Sequence, residues 1–473
     1  MPVRTSRLLA KGFACLAPAA VALACLATAT APAAAAATRV QFTWLKGYAS
    51  PGTPQRLDRV GILQTGPASA RNVLILNPGT SASAAYFEPL AKDIVAGEKG
   101  WQVWAVERRE NQLEDHSMLD RAKAGTASTQ ELFDYYLGYL TDSSITTHFQ
   151  LIPDSSVAYA KQWGMRVTVE DLHRVVAAAR KRGGKVVMGG HSLGGSITDA
   201  YATWDFNGSP GAKDLAGLVF IDGGSNPTPV TAQQARDSLA KLQAGSPWLS
   251  FGGITAPFAG LFNLVASTTV HREPDGHGAL QDWSLLPANL KPPVPATNEG
   301  AYGYALDVKT SPPSLVAAQA HLGQLAVSGD PRGWDATGAL TPIQRYADMF
   351  SGTGLKSLDG TAWYHPLRLT IDAGAVADGN ANPAQRVLDV HSTRGHALPR
   401  GLRIYAFGAA LGGTRVLAAA RTLAKQSHIP ARNVTLIDRH TTYAHNDPNG
   451  ASPDNAFLAG LLPFLQKIGT GAR

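Results

Sequence analysis

The chain has 473 residues, 44% of them apolar and 16% charged. That length allows two or three domains of about 150 residues, and the composition excludes a disordered chain. Its 48 glycines and 30 prolines imply many turns, but no Gly-X-Y or longer repeat runs through them. The formal charge is +7, and +4 once Arg4, Arg7 and Lys11 are set aside as part of a removable leader. A surplus this small, with no basic stripe and no interleaved aromatics, argues against nucleic acid as a partner.

Residues 1–37 read as an export signal. Arg4, Arg7 and Lys11 precede an apolar stretch from Gly12 to Ala27, and Ala35 and Ala37 stand in small-x-small spacing before Thr38. The expected mature protein is secreted or periplasmic. Cys15 and Cys25 both fall inside the leader, so disulfides, a thiol nucleophile and a cysteine zinc site are not expected. Ala22-Leu23-Ala24 is a poor lipobox before Cys25. No later apolar run has transmembrane length, so stable membrane insertion is not expected either.

Short strands are predicted at Arg39–Trp44 and Val60–Gln64. The continuous apolar run Asn72–Leu76 is the pattern of a strand buried on both faces. A helix follows through Phe87, Leu90 and Ile94, then a strand at Trp101–Val106 that ends in Glu107-Arg108-Arg109-Glu110. That charged cluster reads as a surface or interdomain ion-pair group, with binding of a substrate anion as the second reading. Periodicity is weak from 111 to 164. Thr168 offers a helix N-cap with Asp171 three residues on, and apolar residues continue through Leu172, Val175, Val176 and Ala179.

Lys185–Met188 is the next buried strand, followed at once by a Gly-rich turn and a helix at Ile197–Trp204; Leu218–Ile221 is another strand. From 225 to 395 the alternation stops, with helical pieces expected at Thr231–Leu242, Pro313–Leu325 and Thr341–Met349, the last capped by Thr341. It resumes with a strand at Leu402–Phe407, a helix at Thr414–Lys425, a strand at Val434–Ile437 and a closing helix at Leu458–Ile468. Alternation of this kind implies an α/β protein with a mainly parallel sheet and helices on both faces.

The chemistry centres on Gly190-His191-Ser192-Leu193-Gly194. G-x-S-x-G alone is a weak signal, but here it stands between a buried strand and a helix, the context that lifts a serine hydroxyl above a sheet edge. Here the chain resembles the α/β-hydrolase superfamily, in particular its serine esterase and lipase branch, over roughly 70–225 and 398–468. The resemblance implies Ser192 as nucleophile and a histidine base in the loop after the last strand. Of the two histidines there, His445 is preferred over His440, because Tyr443-Ala444-His445-Asn446-Asp447-Pro448 is similar to the family's His-x-Asp-Pro ending.

The usual acid position, after the strand Leu402–Phe407, reads Gly408-Ala409-Ala410-Leu411-Gly412-Gly413 and holds no carboxylate. Some lipases and dehalogenases of the superfamily use the end of the preceding strand, where this chain has Asp222. Asp222 is therefore the expected acid, with Asp438 and Asp447 as alternatives. For an oxyanion hole the resemblance implies the backbone amide of Leu193 and one from Asn77-Pro78-Gly79-Thr80-Ser81, with Thr80 ahead of Ser81.

The resulting division is a leader at 1–37, a hydrolase core at 38–225 and 396–473, and a cap or lid insertion at 226–395. Trp248, Leu249, Phe251, Phe258, Leu261, Phe262, Leu264 and Val265 form an apolar run that either lines an acyl pocket or is the cap's own core. His271 and His277 lack paired carboxylates at metal-ligand spacing, and no phosphate-binding glycine loop occurs. The expected activity is carboxylic ester hydrolysis through an acyl-enzyme, with no cofactor and no metal, on a small lipophilic ester. The rivals are an amidase or peptidase with the same triad and a non-catalytic binding protein on the same fold.

Overall fold

The computed structural model describes residues 38–471 apart from 252, 253 and 256, so the leader expected at 1–37 lies outside the described residues. Eight strands form one sheet. In chain order they are β1 (Val40–Lys46), β2 (Arg59–Thr65), β3 (Asn72–Asn77), β4 (Trp101–Glu107), β5 (Val186–His191), β6 (Gly217–Ile221), β7 (Arg403–Gly408) and β8 (Val434–Asp438). Across the sheet they lie β1-β2-β4-β3-β5-β6-β7-β8. β2 runs against both of its neighbours, and the pairings from β4 across to β8 are all parallel. This is the mainly parallel α/β sheet that the sequence pattern implied, in the α/β-hydrolase arrangement that the resemblance implied. No helix among the described residues is long and apolar enough to cross a membrane.

Alternation along the strands builds two cores. Val73 and Ile75 of β3 face a core filled by helices α2 (Met165–Arg180), α3 (Leu193–Thr203) and α4 (Gly413–Gln426). Leu74 and Leu76 face the other, filled by α1 (Glu88–Gly97) and α5 (Ala456–Gly469). All four side chains are fully buried, each contributing about 1.5–3 kcal/mol. Covering both faces is what makes the strand read as an unbroken apolar run.

Three local expectations fail, each because a distant carboxylate captures a backbone amide or the capping hydroxyl. The helix expected from Thr168 begins at Met165, whose N–H donates to Oδ2 of Asp372 at 2.9 Å. The Thr168 hydroxyl instead donates back to the Gly164 carbonyl. Pro313–Leu325 is not one helix but a 3-10 turn, Pro313–Ala318, and then a strand, Gln324–Gly329, paired with Arg332–Asp335. Between them the amides of His321, Leu322 and Gly323 go to the carboxylates of Asp447 and Asp307 rather than to a helical ladder. The third helix starts at Ile343 without a Thr341 cap, because the Thr341 hydroxyl donates to Asp447.

Residues 226–395 contribute to all three hydrophobic clusters of the molecule. Ala235, Leu369, Ala384 and Leu388 join the first core, and Tyr346, Met349 and Phe350 join the second. Trp248, Leu261, Leu264 and Val265 form a third with Leu132, Tyr136, Phe149 and Trp163. Phe258 and Phe262 pack against that cluster, and Phe251 is exposed. Most of the apolar run is therefore packing shared with the weakly periodic segment 111–164.

Candidate active site

β5 ends at His191 and α3 begins at Leu193, so the chain reverses on Ser192 alone, at φ 57° and ψ −125°. Such a conformation costs a non-glycine residue on the order of 1–3 kcal/mol, and it persists because the neighbours permit nothing else. A Cβ on Gly190 would stand 2.1 Å from the Gly194 carbonyl oxygen, and one on Gly194 would stand 2.0 Å from that of Asn77. The Ser192 N–H donates to the Ile221 carbonyl at 3.0 Å. Register does the rest: His191 lies opposite Ile221, and Ile221 opposite Phe407. Ser192, Asp222 and Gly408 therefore emerge side by side at the C-terminal edge of the sheet.

Asp222 Oδ2 lies 2.7 Å from His445 Nδ1, and both side chains are almost wholly out of solvent. The loop without a carboxylate has a different use. Its amides of Ala409, Gly412 and Gly413 donate to Asp222 Oδ1 at 2.7–3.2 Å, and that of Leu411 donates to Oδ2. Burial raises the cost of the Asp222 charge. The hydrogen bond and charge of His445 and the amides of Gly412 and Ala409 outweigh it and hold this carboxyl below its ordinary range. The loop that lacks a carboxylate of its own thus solvates the one at the end of the preceding strand.

The alternative acids serve other histidines. Asp438 pairs with His440 at 2.6 Å, and both are exposed. Asp447 is fully buried and holds the Nδ1 and the N–H of His321, the Thr341 hydroxyl and the Ala444 amide. Asn446 fixes the same loop, donating to the carbonyls of Ala317 and Gln319 and accepting from Tyr86 Oη at 2.7 Å.

The turn expected to supply an oxyanion donor follows β3, whose Asn77 lies opposite Gly190. A Cβ on Gly79 would stand 3.0 Å from that of Ser192. Ser81 adopts φ 50° and turns its N–H onto His365 Nδ1 at 3.4 Å, while among the described residues no acceptor takes the Thr80 amide. Leu193, first residue of α3, has no intrahelical acceptor for its own N–H. Half-buried Ser192, Leu193 and Thr80 thus share the sheet edge with the buried Asp222–His445 contact.

Two supports escaped the sequence. His191 Nε2 donates to the His445 carbonyl at 2.8 Å, with the two rings 4.3 Å apart. Burial, then the charge of His445, pulls the His191 imidazole down to about 3, so it stays neutral and keeps that single donor. Arg108 is the second. Its guanidinium donates to the carbonyls of Pro78, Gly79 and Ala82 at 2.9–3.2 Å, lies 3.5 Å from His365 Nδ1, and is balanced by Glu110 at 2.6 Å. Arg109 is held by Asp58 and Asp171. The cluster at 107–110, expected as a surface or interdomain ion-pair group, does form ion pairs but is buried, all four residues 5% exposed or less, because strand-end charges that brace a turn beneath a covering segment cannot reach water. An arginine at a strand end looks the same in sequence whether it points out or in.

No family model matches the chain, and no curated protein does. Among solved structures it is similar to an assigned lipase of Sulfolobus solfataricus, at 14% identity and TM-score 0.44 over 91% of this chain and 94% of that one. It is similar to a thermostable carboxyl esterase of Bacillus coagulans at 13% and 0.39, covering 91% and 98%. It is also similar to epoxide hydrolase A of Mycobacterium thermoresistibile at 12% and 0.39, covering 90% and 98%.

Proposed function

We propose that this chain is a serine hydrolase that cleaves carboxylic esters through an acyl-enzyme. The observation that carries the reading is the buried 2.7 Å Asp222–His445 contact at the same sheet edge as the strained Ser192. Ser192 Oγ attacks the ester carbonyl while His445 Nε2 takes its proton, and the carbonyl oxygen becomes an oxyanion facing the amides of Leu193 and Thr80. The imidazolium returns the proton to the departing alkoxide, and the alcohol leaves. Water then attacks the acyl-serine by the same route, freeing the acid and Ser192. Asp222 keeps the proton on Nδ1 in the resting state and stabilises the imidazolium. The test is labelling by a fluorophosphonate, together with turnover of p-nitrophenyl esters of rising chain length and of a matched amide. A protein that binds the esters without labelling or turnover contradicts the reading, and faster cleavage of the amide replaces esterase by amidase.

Arg108 is a positioning residue in this scheme. By holding three carbonyls of the 78–82 turn it fixes which way the Thr80 amide points. Arg108→Lys keeps a cation beside Glu110 but loses the fork. It is expected to lower kcat by on the order of 10²-fold, the worth of one oxyanion donor, with KM little changed. An equal loss in a variant that only destabilises the fold would appear as reduced active fraction, so kcat is referred to sites titrated by the fluorophosphonate.

Export is part of the same proposal. Residues 1–37 act as a leader removed near Ala37. The intact mass of secreted material should then begin near Thr38 and show no alkylation by iodoacetamide, since both cysteines leave with the leader. A mature chain that retains Cys25 contradicts it.

A further inference from the structure

Away from the sheet edge, three side chains converge on one point. Glu114 and His116 follow the turn after β4, and Asp359 comes from the inserted segment. His116 Nε2 lies 2.9 Å from Asp359 Oδ2 and 3.3 Å from Glu114 Oε2, with side-chain exposures of 8%, 0% and 1% for His116, Asp359 and Glu114. The other oxygen of each carboxylate is already committed. Glu114 Oε1 accepts from the Trp363 amide at 2.7 Å, and Asp359 Oδ1 accepts from the amide and hydroxyl of Thr361 at 2.6 and 2.5 Å. The His116 ring packs on Trp363, its centroid 5.2 Å away.

A single Nε2–H can satisfy one carboxylate oxygen, yet two are aimed at it. We infer that Glu114, His116 and Asp359 form a zinc site in which Oε2, Nε2 and Oδ2 are the three protein ligands. With His116 neutral, a divalent ion balances the two carboxylates. Zinc bonds of about 2.0–2.2 Å in a tetrahedron place ligand atoms about 3.3–3.5 Å apart, so the two contacts to His116 need open by only a few tenths of an ångström. One imidazole with two carboxylates suits zinc, whereas calcium requires six or more oxygens. The Trp363 and Thr361 donors orient the ligating carboxylates as outer-shell hydrogen bonds do around zinc. Water completes the fourth position.

The site clamps the inserted segment to the core beside the oxyanion turn. Directly after Asp359 the chain runs along that turn: Ser83 N–H donates to the Gly360 carbonyl, its hydroxyl to the Asp359 carbonyl, and the Ala362 amide to the Ser81 carbonyl. His365, against Ser81 and Arg108, ends the same stretch. Zinc here ties down the support of the turn without touching Ser192, His445 or Asp222, and the site does not depend on the hydrolase reading.

Full-length mature protein, stripped with a chelator and titrated with zinc chloride, should take up one ion per chain at micromolar free zinc, with a rise in Tm. His116→Gln and Asp359→Asn should each abolish that uptake. His440→Ala, which removes an exposed Asp–His pair, should retain it. Cobalt(II) in the wild type should give the visible bands of a four-coordinate site, and X-ray absorption on the zinc form should show one nitrogen with oxygens only. This readout stands even if the variants fail to fold. Substoichiometric uptake by folded wild type, uptake that persists in His116→Gln, or a first coordination sphere of several nitrogens would each overturn the assignment and leave a protonated His116 between two carboxylates.

Discussion

With Ser192→Ala, ester turnover should fall by on the order of 10⁶-fold and fluorophosphonate labelling should vanish, while thermal unfolding stays close to wild type. The Ser192 hydroxyl makes no hydrogen bond among the described residues, so its removal leaves no buried partner unsatisfied. The strain at φ 57° is a property of the turn and burdens alanine as it burdens serine. His445→Ala should cost a similar factor, and the double variant no more than either single change, because nucleophile and base act as one unit. The measurement is kcat on a p-nitrophenyl ester, with Tm recorded in parallel. Near-wild-type activity in Ser192→Ala would sink the mechanism.

What the sequence made legible follows from range. The buried strands were readable because β3, β5, β6 and β7 are covered on both faces, and that condition writes itself into consecutive residues such as Val73–Leu76. The elbow was readable because its steric demands fall on neighbours: Gly190 and Gly194 must lack side chains for the chain to turn on Ser192. Asp222 was reached through the resemblance once the loop 408–413 proved to hold no carboxylate, but the sequence did not reveal that this loop's amides are what hold the Asp222 carboxylate. That relation joins residues almost 190 positions apart. The start of α2 was missed for the same reason, its first amide being held by Asp372 from 207 positions away. Burial of Arg108 was invisible because it depends on the inserted segment that covers it, and the convergence of Glu114 and His116 with Asp359 spans more than 240 residues.

Asp222→Asn discriminates most sharply, because the geometry dictates which way the new amide must lie. Three backbone N–H groups, of Ala409, Gly412 and Gly413, point at Oδ1, so the amide oxygen takes that place and the NH₂ takes the place of Oδ2. There it faces the Leu411 N–H, donor against donor, and His445 Nδ1. It can satisfy His445 only by donating to Nδ1, which drives the ring proton to Nε2 and removes the lone pair that must accept from Ser192. The expected loss is on the order of 10⁴ in kcat, with KM little changed because the contact matters as the imidazolium forms. Stability should fall by about 1–3 kcal/mol for the Leu411 mismatch at neutral pH. The sign of its pH dependence is fixed: the Asp222 carboxyl is held below its ordinary value near about 3.9, so its contribution is present above that value and lost as pH falls through the folded one. The Tm gap between wild type and variant should therefore narrow below about pH 4. Asp438→Asn is the control that should keep most activity, its pair with His440 being exposed. Asp447→Asn is no such control, because Asp447 anchors His321, Thr341 and the Ala444 amide one residue before the base, and it should lower stability as well as rate. A collapse of kcat in Asp438→Asn with activity surviving in Asp222→Asn would move the acid to the histidine loop and overturn the triad.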